Sequence, residues 1–131
     1  MNNKTLQQII EDTVIDLPGL ELALIGYIEQ GMGIVYTNPG NLKIESIAAY
    51  TSELIKSNIK FKDVLSSESE IKYLITRTSK NRLMLQIIPN TEFYVAMVTK
   101  QNSSFETSIP VFKTLIRESS KILLQKSQVN S

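Results

Sequence analysis

The stretch Leu20–Ile28, LELALIGYI, most constrains the fold. One alternating set is Leu20, Leu22, Leu24, Gly26 and Ile28; the other is Glu21, Ala23, Ile25 and Tyr27. Both sets are largely apolar, so a strand here needs cover on both sides. Gly31 and Gly33 suit a turn needing positive φ, and Ile34–Thr37 reads as the return strand of a hairpin. The chain must therefore place a sheet between two layers.

The flanking segments supply those layers. Leu6, Ile9, Ile10, Thr13 and Leu17 fall at helical spacing, and Pro18-Gly19 stops that helix. Asn38-Pro39-Gly40-Asn41 is a loop. A second helix begins near Leu42, with Ile44, Ile47, Ala48, Thr51, Leu54 and Ile55 as one stripe. Residues 59–69 read as a connector, with Phe61, Val64 and Leu65 as anchors into the core. Three more strands follow at Glu70–Thr78, Arg82–Ile88 and Glu92–Thr99, joined by short turns into a meander. The last strand is apolar on both faces and is the candidate for the centre of the sheet. A third helix runs from about Ser108 to Gln125, with Ile109, Phe112, Leu115, Ile116, Ile122 and Leu123 on its apolar face. Pro110 fits its first turn. The expected fold is α+β, a five-stranded antiparallel sheet with helices on both faces in the order α-β-β-α-β-β-β-α. The 131 residues suit one domain, placed over residues 1–126 with a flexible tail at 127–131.

Composition narrows the chemistry. The chain has no Cys and no His, so it lacks a thiol nucleophile, the commonest metal ligand and the usual general base near neutral pH. Glu11-Asp12 and Glu68 with Glu70 have no evident acid–base partner. Gly31-Met32-Gly33 is not a phosphate loop. No catalytic, cofactor or metal site is expected. The net charge of +1 gives no general attraction for nucleic acid or an anionic membrane. It is unevenly spread: residues 1–65 carry 5 basic and 8 acidic side chains, and residues 66–131 carry 9 and 5. Lys72, Arg77, Lys80 and Arg82 read as a solvated face, with only Tyr73 near for stacking. The N-terminus shows no apolar signal segment and no run is long enough to span a bilayer, so a cytoplasmic location is expected.

Leu17-Pro18-Gly19-Leu20, the apolar strand Leu22–Ile28, the turn Glu29–Gly33, Ile47-Ala48-Ala49 in the second helix, and the strand Phe93–Val98 after a proline-containing turn occur in an order that resembles the Roadblock family (dynein light-chain roadblock type). The resemblance covers about residues 5–125. It implies a non-catalytic domain that pairs through its second helix and third strand and serves as a platform for small GTPases or motor complexes; bacterial members often partner a Ras-like GTPase. On this basis the expected homodimer interface is Ala48, Ala49, Ser52, Ile55 and Ile59 on the helix, and Ile71, Lys72, Tyr73, Leu74 and Ile75 on the strand. Ala48, Ala49 and Ser52 are small enough to let two helices approach closely. The alternative is a monomeric profilin-like or longin-like sensory domain, with a small-molecule pocket walled by Tyr27, Tyr36 or Tyr94.

Overall fold

The computed structural model describes residues 4–129. Its elements are α1 (Leu6–Val14), β1 (Leu20–Tyr27), β2 (Met32–Thr37), α2 (Ile44–Leu65), β3 (Leu74–Arg77), β4 (Asn81–Ile87), β5 (Phe93–Lys100) and α3 (Phe105–Val129). The strands form one antiparallel sheet in the order β2-β1-β5-β4-β3, so the doubly apolar strand β5 is central, as its composition predicts.

Alternation along β1 and β5 divides the core in two. Ala23, Ile25, Val95 and Met97 face α1 and α3, where Ile9, Ile10, Val14, Phe112, Leu115 and Ile116 are buried against them. Leu22, Leu24, Tyr94, Ala96 and Val98 face α2, where they meet Ala48 and Ile55. Each large aliphatic chain so buried contributes about 1.5–3 kcal/mol relative to exposure. Both faces of the first hairpin strand are covered by helices, which is the arrangement its sequence demands.

Local chemistry sets the boundaries. A capping box opens α1: Gln8 N donates to Thr5 Oγ1 at 3.1 Å and Thr5 N donates to Gln8 Oε1 at 2.9 Å. The helix ends at Val14, because Pro18 disfavours helical geometry at Leu17, and Leu17 N closes a turn onto Val14 O. The loop before α2 is clamped by Asn38, whose side chain bonds both Leu42 N and Leu42 O at 2.9 Å.

The boundaries and one side chain depart from the sequence expectations. The second helix does not give way to a connector at residue 59 but continues to Leu65. The third strand spans only Leu74–Arg77 rather than Glu70–Thr78. Ahead of it the chain peels from β4, and Ile71 faces the same cleft as Ile59 and Ile87. The last helix starts at Phe105, where Ser104 Oγ accepts from Thr107 N at 3.2 Å, so Pro110 lies in the second turn on an exposed side. That helix runs to Val129, which takes in residues 127–129 of the expected tail; positions 130 and 131 lie outside the described residues. Finally, Arg82 does not belong to a solvated basic face. It is 6% exposed, its guanidinium lies 4.7 Å from the Phe105 ring centroid, and Nη2 donates to Ser103 O at 3.2 Å.

Candidate functional site

The 22 residues of α2 make a rod of about 33 Å. Glu45 in its first turn and Lys62 in its last suit the helix dipole. Its inner side, Ala48, Thr51, Ser52 and Ile55, is buried on the sheet. Ala48, Ser52 and Ile55, expected in an interface between chains, are each 1% exposed and face their own sheet instead. Their small size serves a different approach. The β1–β2 turn packs on the helix, with Ser52 Oγ donating to Ile28 O and Lys56 Nζ donating to Glu29 O at 2.9 Å. Gly31, at φ +64°, lies against Ala49 and Ser52; a Cβ there would be 3.4 Å from Ala49 Cα.

The outer side of α2 is apolar as well. Tyr50 is 72% exposed, Leu54 39%, Phe61 59%, Val64 81% and Leu65 68%. Phe61, Val64 and Leu65 are therefore not core anchors. With Ser57, the positions 50, 54, 57, 61 and 64 follow the alternating four-and-three spacing of a heptad seam. That spacing is the sequence signal for this stripe. It is masked because the inner positions 47, 51, 55 and 59 form an apolar stripe of their own.

Past the C-terminal end of α2, where Ile59 and Lys62 share a cleft with Ile71 and Lys72, lies an open sheet edge. The two edges of the sheet differ. At β2, Gln7 of α1 closes the edge: its Nε2 donates to Tyr36 O at 2.8 Å, and its Oε1 accepts from Tyr36 N at 3.3 Å. At β3, Thr78 N donates to Asn81 O at 2.9 Å. By antiparallel alternation Thr76 and Leu74 also bond toward β4, which leaves the N–H and C=O of Ile75 and Arg77 pointing outward. No side chain among the described residues caps them. Of the expected strand residues, Lys72, Tyr73 and Ile75 are exposed, while Ile71 and Leu74 are half-buried; on the helix, Ala49 is exposed and Ile59 half-buried. The seam of α2 and the edge of β3 are thus two surfaces that no other element among the described residues covers.

The tyrosines of the small-molecule alternative do not converge. Tyr94 is fully buried on the α2 face, where its hydroxyl lies 2.8 Å from Thr51 Oγ1 and 2.8 Å from Ala48 O. Burial pushes its pKa above the usual phenol range, and the bond to Thr51 pulls partly back. Tyr27 packs edge-on against Phe93 on the opposite sheet face, with centroids 5.1 Å apart. Its hydroxyl donates to Glu92 at 2.6 Å, and that bond is the main reason its pKa is raised. Tyr36 lines an open cleft with Gly31, Met32 and Ile44. Among the described residues, no three acidic side chains gather as a metal site requires, and no helix is long and apolar enough to cross a membrane.

The sheet order, the two helical layers and the lone long helix on one face define the fold of the Roadblock/LC7 domains. Among solved structures, a Roadblock/LC7 domain from Streptomyces avermitilis superposes with a TM-score of 0.80 at 11% identity, over 92% of this chain and 99% of its own. Myxococcus xanthus MglB superposes at 0.81 with 13% identity, over 95% and 99%. An MglB with a tetrameric arrangement superposes at 0.78 with 12% identity, over 89% and 86%. No protein-family model and no curated protein matches the sequence. At such identities the likeness establishes the fold.

Proposed function

We propose that this protein is a non-catalytic Roadblock-type platform that works in the cytoplasm as a homodimer and holds a small Ras-like GTPase. The observation that carries the reading is the presence of an exposed heptad seam on α2 together with an uncapped edge at β3. A two-fold copy would bury Tyr50, Leu54, Phe61 and Val64 against their equivalents and join two sheets through β3. The GTPase role rests on the resemblance to the Roadblock family, and the MglB folds support it, one of which is a gliding protein from Thermus thermophilus. Such a platform acts by holding a partner in the conformation it binds more tightly, and needs no catalytic side chain of its own.

Light scattering on a sizing column, repeated over a dilution series, tests the dimer. The expected result is a dimer that persists on dilution and becomes monomeric in Phe61→Glu. A stable wild-type monomer would overturn the homodimer. For the GTPase, binding is measured to Ras-like GTPases of the same organism loaded with GDP or a GTP analogue. A preference for one nucleotide state is expected, and equal or absent binding across the set would remove that part of the reading.

A further inference from the structure

The layer formed by α1 and α3 stops short of the β3 side of the sheet. Between α3 and the β3–β4 end lies an open cleft of about 570 Å³. Its floor is apolar, made by Tyr73, Pro89 and Ile116. Four cations stand around it: Lys72, Lys113, Arg117 and Lys121. No acidic side chain among the described residues lines it. Glu118 offsets part of the charge, at 3.5 Å from Lys121 and 3.8 Å from Arg117, while Lys72 and Lys113 have no carboxylate partner among the described residues. This concentration is local, because the whole chain carries a net charge of only +1.

We propose that this cleft binds an acidic peptide segment of a partner protein, one that carries an apolar anchor residue between its carboxylates. The anchor would lie on Ile116 and Tyr73, and the carboxylates would pair with the rim. Both features are needed to choose this occupant. A simple anion makes no use of the apolar floor. A lipid surface presents anionic headgroups but no apolar side chain to lie on Ile116, which is only 7% exposed. A nucleic-acid strand needs successive stacking platforms, and Tyr73 is the one aromatic side chain lining the cleft. Opposite charges steer the encounter, and the buried apolar contact sets its lifetime. The inference does not rest on the proposed platform function, since α3 lies on the sheet face opposite α2; of the lining residues, Lys72 and Tyr73 also belong to the expected dimer edge before β3.

The test uses the full chain and a fluorescein-labelled peptide in which Leu and Phe are set among glutamates, read by anisotropy. A second peptide has lysine at every glutamate position, and phosphatidylserine-containing vesicles form a third arm. The acidic peptide should bind saturably and weaken when NaCl is raised from about 50 to about 500 mM. It should weaken at least about tenfold in Lys113→Glu/Arg117→Glu, and not in Lys43→Glu. Both reversed positions are exposed, and an unchanged melting temperature shows that the variant folds. Amide shifts in a heteronuclear NMR titration provide a second readout, expected at Tyr73, Gln86, Ile116 and Ser120. Equal binding of the two peptides, indifference to the double reversal, shifts centred on α2, or vesicle binding without peptide binding would each overturn the proposal.

Discussion

Tyr94 ties three elements together through one ring. It stands on the central strand, its hydroxyl bonds to Thr51 and to the Ala48 carbonyl on α2, and its ring occupies the space left by Gly26 on β1. Gly26 pairs with Tyr94 across the strands, and a Cβ there would come within 2.5 Å of the ring. Gly26→Ala should cost about 1–3 kcal/mol in urea unfolding, the range for overpacking. Tyr94→Phe should cost about 1–2 kcal/mol near neutral pH, because the bonds are lost in a buried site. It should also change the response to alkali. Burial raises the Tyr94 pKa in the folded state, so as pH climbs past about 10 the unfolded chain releases the phenol proton first and stability falls. Urea midpoints measured from neutral to alkaline pH should therefore drop less steeply in Tyr94→Phe than in the wild type; an identical slope would assign the alkaline limit to other groups. The sequence shows Gly26 inside an apolar strand but not its partner, because the pairing depends on the register between strands far apart in the chain.

Two apolar stripes on one helix explain what could and could not be read of α2. The inner stripe from Ile44 to Ile55 is visible at helical spacing, and it packs on the sheet except at Leu54, which is 39% exposed and belongs to the outer side. The outer stripe is equally apolar, and periodicity alone does not say which stripe meets the sheet. The same ambiguity makes Phe61, Val64 and Leu65 read as anchors, whereas the expectation of Ala48 and Ile55 at an interface comes from the family resemblance. Substitutions separate the two sides. Val64→Glu should leave unfolding free energy within about 0.5 kcal/mol, as surface changes do, while dissociating the dimer. Ile55→Glu buries a charge and should cost more than about 3 kcal/mol, lowering the thermal midpoint at any oligomeric state. The strand half of the surface has its own probe. In Ile75→Pro the missing amide hydrogen is one that points outward, so the β3–β4 ladder survives while pairing with a second β3 is blocked. A monomer with a wild-type circular-dichroism spectrum is expected; an intact dimer would show that the edge is not used.

At the scale of the whole molecule, the two sheet faces are covered unequally, and this separates the two proposed surfaces. The five strands occupy a width of about 24 Å at the usual spacing, and each packed helix covers about 10 Å of that. Two helices cover one face except at the β3 end, where the cationic cleft lies; on the other face α2 stands alone, and Leu74, Leu83 and Ile87 remain half-buried. The order of elements and the central strand were legible because each rests on local alternation. The cleft was not, since its walls come from residues 72–89 and 113–121, which only the tertiary fold brings together. Opposite chemistry on opposite faces predicts opposite responses to salt. An apolar seam and backbone pairing are insensitive to screening, whereas a cationic rim loses most of its attraction once the Debye length falls to about 4–5 Å. Sedimentation velocity across the same NaCl series should find the proposed dimer intact at the concentration expected to abolish peptide binding. Lys113→Glu/Arg117→Glu should dimerise as the wild type does, and Val64→Glu should retain peptide binding as a monomer. A dimer that dissociates with salt, or a monomer that loses the peptide, would mean that the two faces form one site.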